Sequence, residues 1–290
     1  MKPLSDATVA VVGLGLMGGS LAGALRGQCG SVVGVARRAE TLETAVSRRL
    51  VDCGTTDLTA GVVHADIVVL AAPVRAILRL LREVTPLLPD GCLVMDLGST
   101  KSAITAEMAR LPGCVEPLGG HPMCGREVSG IAAADPTLYR GRPFILTPLS
   151  RTSETALSLG LELVIALGAR PLILDAERHD RLAAAVSHLP YLLACALTSA
   201  VEDAATSDSM VWELAASGFR DTSRLAASDV TMMLDILLTN REAVLRAVKI
   251  CEGQLRSLVG LVEASDEEGL RAALAAIQEH RPGQSVGTDS

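Results

Sequence analysis

The chain has 290 residues, 49% of them hydrophobic but only 2% aromatic, and a formal net charge of −7. That length holds about two domains with cores built from Ala, Leu and Val, and an acidic balance with no long basic run argues against a nucleic-acid partner. The first eight residues are short and polar, which excludes a secretory leader there, and seven scattered cysteines without a C-x-x-C pair fit free thiols in a reducing cytoplasm and speak against a disulfide scaffold or a zinc site.

Residues 9–12 (VAVV) predict a strand that runs into Gly13-Leu14-Gly15-Leu16-Met17-Gly18, followed by an Ala/Leu-rich helix. In this strand–turn–helix setting, G-x-G-x-x-G marks a dinucleotide site. Gly13 makes the tight turn, Gly15 lets the backbone approach a pyrophosphate, and Gly18 lets the helix pack on the strand. Leu16 and Met17 open the helix, whose free N–H groups suit phosphate. The bland alternative is a glycine-rich turn that binds nothing. Residues 31–36 (SVVGVA) predict a second strand. The acidic residue that would hold a ribose 2′-hydroxyl at its end is missing: the slot is Ala36, followed by Arg37 and Arg38. Two guanidiniums there suit a 2′-phosphate, so the pattern favours NADP over NAD, with NAD still open. Otherwise both arginines are solvated loop residues.

Residues 66–71 and 91–97 predict two further strands, the second emptying into Gly98-Ser99-Thr100-Lys101. Ligands of open parallel sheets bind at the carboxyl ends of strands, so Ser99 lies where chemistry is expected, or caps the next helix, or does both. Residues 115–118 predict a short strand, and a loop then carries His121 between glycines and Pro122. His121 is the first choice for a general base. Strands over 143–147 and 170–175 flank a helix over 153–167. From 176 onward the pattern is helical almost throughout.

The reading is therefore an α/β fold: an N-terminal Rossmann-type dinucleotide-binding domain (residues 1–175) followed by an all-α C-terminal domain (176–290) for substrate binding and dimerisation. An Ala/Leu-rich helical surface of this kind often needs a partner subunit to bury it. The apolar run 182–201 contains Ser187, His188 and Pro190 and reads as a buried core helix, not a membrane span. His179 and His188 are nine helical residues apart, so on a straight helix they face opposite sides. Residues 217–224 (SGFRDTSR) read as a polar break between helices, either a solvated loop or an anion clamp.

These blocks together resemble the prephenate/arogenate dehydrogenase family of tyrosine biosynthesis. The resemblance rests on GLGLMGGS at the start, DLGSTKS at 96–102, GGHPMCGREVSG at 119–130, HDRLAAAVSHLP at 179–190 and SGFRDTSR at 217–224. It implies a cytoplasmic, homodimeric oxidative decarboxylase that passes hydride to a nicotinamide. Catalytic roles fall to His121, as base, and to Ser99, which orients it. Substrate contacts fall to Arg224 (carboxylate), His179, Glu127 (at the mouth) and Tyr191. Prephenate-using relatives often carry a histidine where this chain has Tyr191, and often an aromatic residue at the position of Met233; both departures lean toward arogenate. A β-hydroxyacid dehydrogenase-like oxidoreductase shares the first motif and a helical second domain, but its catalytic lysine has no counterpart: Lys249, the only lysine in the second half, lies far from any motif. A non-catalytic NADP-binding regulator would need the glycine loop alone.

Overall fold

In this computed structural model, which describes residues 1–125 and 128–279, eight strands form one sheet. They are β1 (Thr8–Val12), β2 (Ser31–Val35), β3 (Cys53–Thr55), β4 (Ile67–Leu70), β5 (Leu93–Asp96), β6 (Glu116–Pro122), β7 (Pro143–Pro148) and β8 (Arg170–Ile173). The order is β3-β2-β1-β4-β5-β6-β7-β8. Pairing is parallel except between β6 and β7, which are antiparallel. Strands β4 and β5 are apolar at nearly every position and buried on both faces, as a parallel sheet with covered faces requires. Along β1 the side chains alternate between two cores: Val9 and Val11 join Leu21, Leu25 and Leu163 on one face. Ala10 and Val12 join Ile77, Leu81 and Ile104 on the other.

The helices of this part are α1 (Leu16–Leu25), α2 (Ala39–Ser47), α3 (Leu58–Val62), α4 (Val74–Val84), α5 (Ser102–Met108) and α6 (Glu154–Ala166). The chain leaves β1 toward β2 and β3, then returns to lay β4 on the other side of β1. That reversal opens a crevice at the carboxyl edge beside β1, where such sheets bind ligands. One strand was not expected and one expectation is corrected. The short edge strand β3 has no apolar run to announce it. Strand β6 does not stop at Leu118: it continues through Pro122 because antiparallel β7 supplies partners, so His121 is a strand residue opposite Ile145 and not a loop residue.

Beyond the sheet come α7 (Ala176–Ala183), a π turn (Ala184–His188), α8 (Leu189–Ser207), α9 (Ser217–Ser223), α10 (Val230–Thr239), α11 (Arg241–Glu263) and α12 (Glu267–Glu279). Residues 217–223, expected as a polar break, are helix α9, and a 3₁₀ turn over Arg224–Ala227 follows. The π turn lies just before Pro190, which lacks an N–H and crowds the carbonyl four residues back; a widened turn absorbs both defects. Most of the run 182–201 is not buried by its own chain, although Ala183, Ala184, His188 and Ala194 are. Of α8 only Ala194 is fully buried, and Leu182, Val186 and Leu193 are exposed. By length and composition Ala176–Ser207 is long and apolar enough to cross a membrane; an apolar run reads alike whether its own chain, a partner or lipid covers it.

Residues 1–241 and 242–290 form two compact units. In the second, α11 ends at a turn where Ser265 takes φ 52°, and Asp266 caps α12 by accepting from Gly269 N at 2.9 Å. Within the first unit, two helices of the sheet layer are capped from outside. Helix α4 has no cap of its own after Pro73; Asp235 of α10 accepts from Arg75 N at 3.0 Å. Helix α5 has none either; Asp180 of α7 accepts from Lys101 N at 2.7 Å and Ser102 N at 2.9 Å. Each carboxylate meets free N–H groups and the positive end of a helix dipole.

Candidate active site

The glycine loop follows β1 at the crevice. Gly13 takes φ +103°, and a Cβ there would lie 2.3 Å from Ala71 O. A Cβ on Gly18 would lie 1.9 Å from Gly13 O. Both glycines are demanded by the protein's own packing. Gly15 is different: a Cβ there would meet nothing within 4 Å. It caps α1 with no side-chain hydrogen bond, leaving an open cradle against the helix N-terminus that suits a pyrophosphate. Leu16 and Gly18 are buried, while Met17 is half-buried and its carbonyl accepts from Tyr139 Oη at 2.7 Å. Arg37 and Arg38 leave the end of β2, both exposed, and neither side chain bonds to another described residue.

Asp96 and Lys101 are fully buried and paired. Asp96 also accepts from Gly98 N at 2.7 Å and Gly120 N at 3.0 Å, and Lys101 Nζ donates to Gly120 O at 2.6 Å. Gly120 is thus clamped through both backbone groups; a Cβ on it would lie 2.5 Å from Asp96 O. The clamp fixes the backbone next to His121. Burial pulls the Lys101 ammonium below its ordinary pKa, against the pull of Asp96 and Asp180.

His121 Nδ1 lies 2.8 Å from His179 Nε2, with the rings edge-on at 71°. His179 Nδ1 in turn lies 2.9 Å from Asp180 Oδ1. Asn240 Nδ2 donates to Asp180 O at 2.7 Å and sits 3.2 Å from His188 Nδ1. Burial, then His179, Lys101 and His188, hold His121 well below the usual histidine range. Burial likewise pushes His188 down to about 4. For Asp180 burial works upward, but hydrogen bonds from His179, Ser102 and Lys101 outweigh it and keep the carboxyl below its ordinary value. A neutral imidazole beside a fixed carboxylate is chemically a base with one nitrogen spoken for.

Ser99 is half-buried just past β5, the strand beside β6, and its hydroxyl bonds to no other described residue. His179 is 2% exposed and lies behind His121, between it and Asp180. Tyr191 is half-buried on α8, where burial and Cys195 raise its phenol pKa. Arg224 is exposed at the start of its 3₁₀ turn. The bonds that build the His121 cluster include neither Tyr191 nor Arg224. Glu127 lies outside the described residues. Met233 is buried on α10. Asp96, Lys101, Asp180 and Asn240 escaped the sequence reading; for the first three the one available signal was a charged residue set directly against an apolar strand or a catalytic-type histidine, and Asn240 gave none. Among the described residues no cluster of three or more His, Cys, Asp or Glu is placed to hold a metal.

A family model described as "Prephenate dehydrogenase, nucleotide-binding domain" matches residues 21–173, and one described as "Prephenate dehydrogenase, dimerization domain" matches residues 175–276. The chain is 33% identical over 265 residues to the prephenate dehydrogenase of Lactococcus lactis, covering 90% of this chain and 73% of that protein. It superposes with a TM-score of 0.89 on the prephenate dehydrogenase of A. aeolicus solved with hydroxyphenyl propionate and NAD+, at 32% identity over 96% of this chain and 98% of that one. The arogenate dehydrogenase of Synechocystis gives a TM-score of 0.83 at 32% identity, over 94% of this chain and 98% of that one.

Proposed function

The chain belongs to the prephenate dehydrogenase family, NAD(P)-dependent enzymes of tyrosine biosynthesis, and from that premise we propose that it oxidises and decarboxylates arogenate in preference to prephenate, with NADP in preference to NAD. The observation that carries the cofactor choice is the end of β2, where Ala36 offers no carboxylate and two arginines without a side-chain partner among the described residues face solvent. The substrate choice rests on Tyr191 and Met233, where the prephenate-using pattern departs.

The nicotinamide, when bound, supplies the hydride acceptor for C4 of the substrate ring. His121 takes the proton of the 4-hydroxyl while the C4–H bond breaks. The ring carboxylate then leaves as CO2, its bonding electrons complete the aromatic ring, and His121 returns the proton to the phenol oxygen. Ser99 orients the reacting hydroxyl and the base. Arg224 holds a substrate carboxylate by charge-assisted bonds. Glu127 stands at the mouth. Gly13, Gly15, Leu16, Met17 and Gly18 would form the loop that holds the pyrophosphate, and Arg37 and Arg38 would hold the 2′-phosphate.

The working unit is a homodimer. Val230, Leu234 and Leu238 form an exposed stripe along α10, and Leu182, Val186 and Leu193 another along the continuous helical run Ala176–Ser207; a second copy covers them. Residues 1–175 serve the nucleotide and 176–290 the substrate and the partner. The test is a steady-state assay with arogenate or prephenate against NADP+ or NAD+, read by the absorbance of the reduced nicotinamide. Turnover with arogenate and NADP+ is expected. Turnover confined to prephenate and NAD+ overturns both specificity arguments, and none in any combination overturns the reading as a whole.

A further inference from the structure

We propose that Asp180 and His179 are positioning residues that set the tautomer of His121, leaving its Nε2 as the proton acceptor. The inference rests on the reading of His121 as the base. The hydrogen-bond order decides it. An ionised carboxylate only accepts, so the proton between Asp180 Oδ1 and His179 Nδ1, 2.9 Å apart, sits on the histidine. A neutral imidazole carries one N–H, so His179 Nε2 is an acceptor. The 2.8 Å contact to His121 Nδ1 then requires His121 to donate from Nδ1, and its Nε2 keeps a lone pair.

Asp180 cannot rotate out of this arrangement. Its Oδ1 also accepts from Lys101 N, and its Oδ2 from Ser102 N. The same Lys101 reaches back to clamp Gly120, the neighbour of His121. Both ends of the His121–His179 contact are therefore fixed to one short segment. When His121 Nε2 takes the substrate proton, the two N–H groups behind it stay where they are, and the imidazolium is stabilised through His179 by the carboxylate. Because His179 is 2% exposed, that attraction is little screened by water.

The test combines the nitrogen NMR signals of the histidine rings in unliganded protein with kinetics of variants. In the wild type, His121 is expected to carry its proton on Nδ1. In Asp180→Ala the acceptor for His179 Nδ1 is lost, the order is no longer imposed, and the His121 proton is expected to redistribute toward Nε2. With it, kcat falls roughly 10²-fold or more, while KM and the Kd for NADPH stay within about threefold. If Asp180→Ala does not fold, His179 decides. His179→Gln preserves the order, amide N–H toward Asp180 and amide oxygen toward His121, and keeps kcat within about tenfold; His179→Leu removes the acceptor and loses roughly 10²-fold or more. Equal losses in Gln and Leu, a Leu variant with more than about a tenth of wild-type kcat, or a wild-type His121 protonated on Nε2 overturns the proposal. Absent wild-type turnover would strike the reading of His121 as base, whereas the NMR signals report on the tautomer by themselves.

Discussion

His121 works as a base because its surroundings withhold charge from it. Burial and three neighbouring groups, His179, Lys101 and His188, hold its pKa well below 6.5. The folded enzyme therefore keeps the neutral, proton-accepting form to more acid pH than a free histidine would, and the acid limb of kcat/KM is expected below pH 6.5. Replacing it by asparagine is expected to leave NADPH binding intact, read by fluorescence titration, and to lower kcat about 10²–10⁴-fold. Arg224→Ala should act mainly on KM for the substrate, through lost charge-assisted bonds. The glycines separate in the same way. Gly15→Ala has room in the protein and should weaken nucleotide binding without lowering Tm, whereas Gly13→Ala should destabilise the fold, since its Cβ would strike Ala71 O. At this scale the glycine fingerprint was legible because turn and phosphate chemistry restrict those positions to glycine. Asp96, Lys101, Asp180 and Asn240 were not: each has a partner 19 to 79 residues away in sequence, and a polar residue beside an apolar run looks like a cap until that partner is seen.

The helix from Ala176 to Ser207 shows how one irregular turn alters an argument from periodicity. Nine residues at about 100° each place His179 and His188 on opposite sides of a straight helix. The π turn removes roughly one residue's rotation, and both histidines turn toward the Asp180 cluster, His179 through Asp180 Oδ1 and His188 through Asn240. The periodicity was visible in the sequence; the widened turn was not, although Pro190 is its physical cause. The arrangement has a pH signature. His188 is neutral in the fold with a pKa near 4, against about 6.5 when unfolded. As pH falls below about 6.5 the unfolded chain takes up this proton first, so stability is full above that value. It declines toward pH 4 by about 3 kcal/mol from His188, with His121 acting in the same direction. Urea titrations between pH 7.5 and 4.5 check this. Asp235→Ala should cost about 1–2 kcal/mol, because it leaves Arg75 N without its acceptor.

For the whole molecule, the alternation of strands and helices followed by helices alone made the α/β architecture legible, since each period reports a different burial geometry. What periodicity could not reveal was who buries the second half. The exposed stripes along Ala176–Ser207 and along α10 predict that Tm rises with protein concentration, as it does when folding is linked to association; a Tm independent of concentration would speak against the homodimer. A second consequence follows from the aspartates of α7 and α10 that cap α5 and α4. The change of pattern at residue 175 is a seam in the sequence but not a line of cleavage in the fold. A fragment cut there loses both acceptors and also the partner of His121, so it is expected to melt well below the full chain even though every strand of the sheet is present. Exchange of the helical part between relatives is subject to the same condition. A grafted segment works as a replacement only if it brings a carboxylate to each of these two helix ends, which makes the nucleotide-binding half a dependent piece of architecture instead of a portable one.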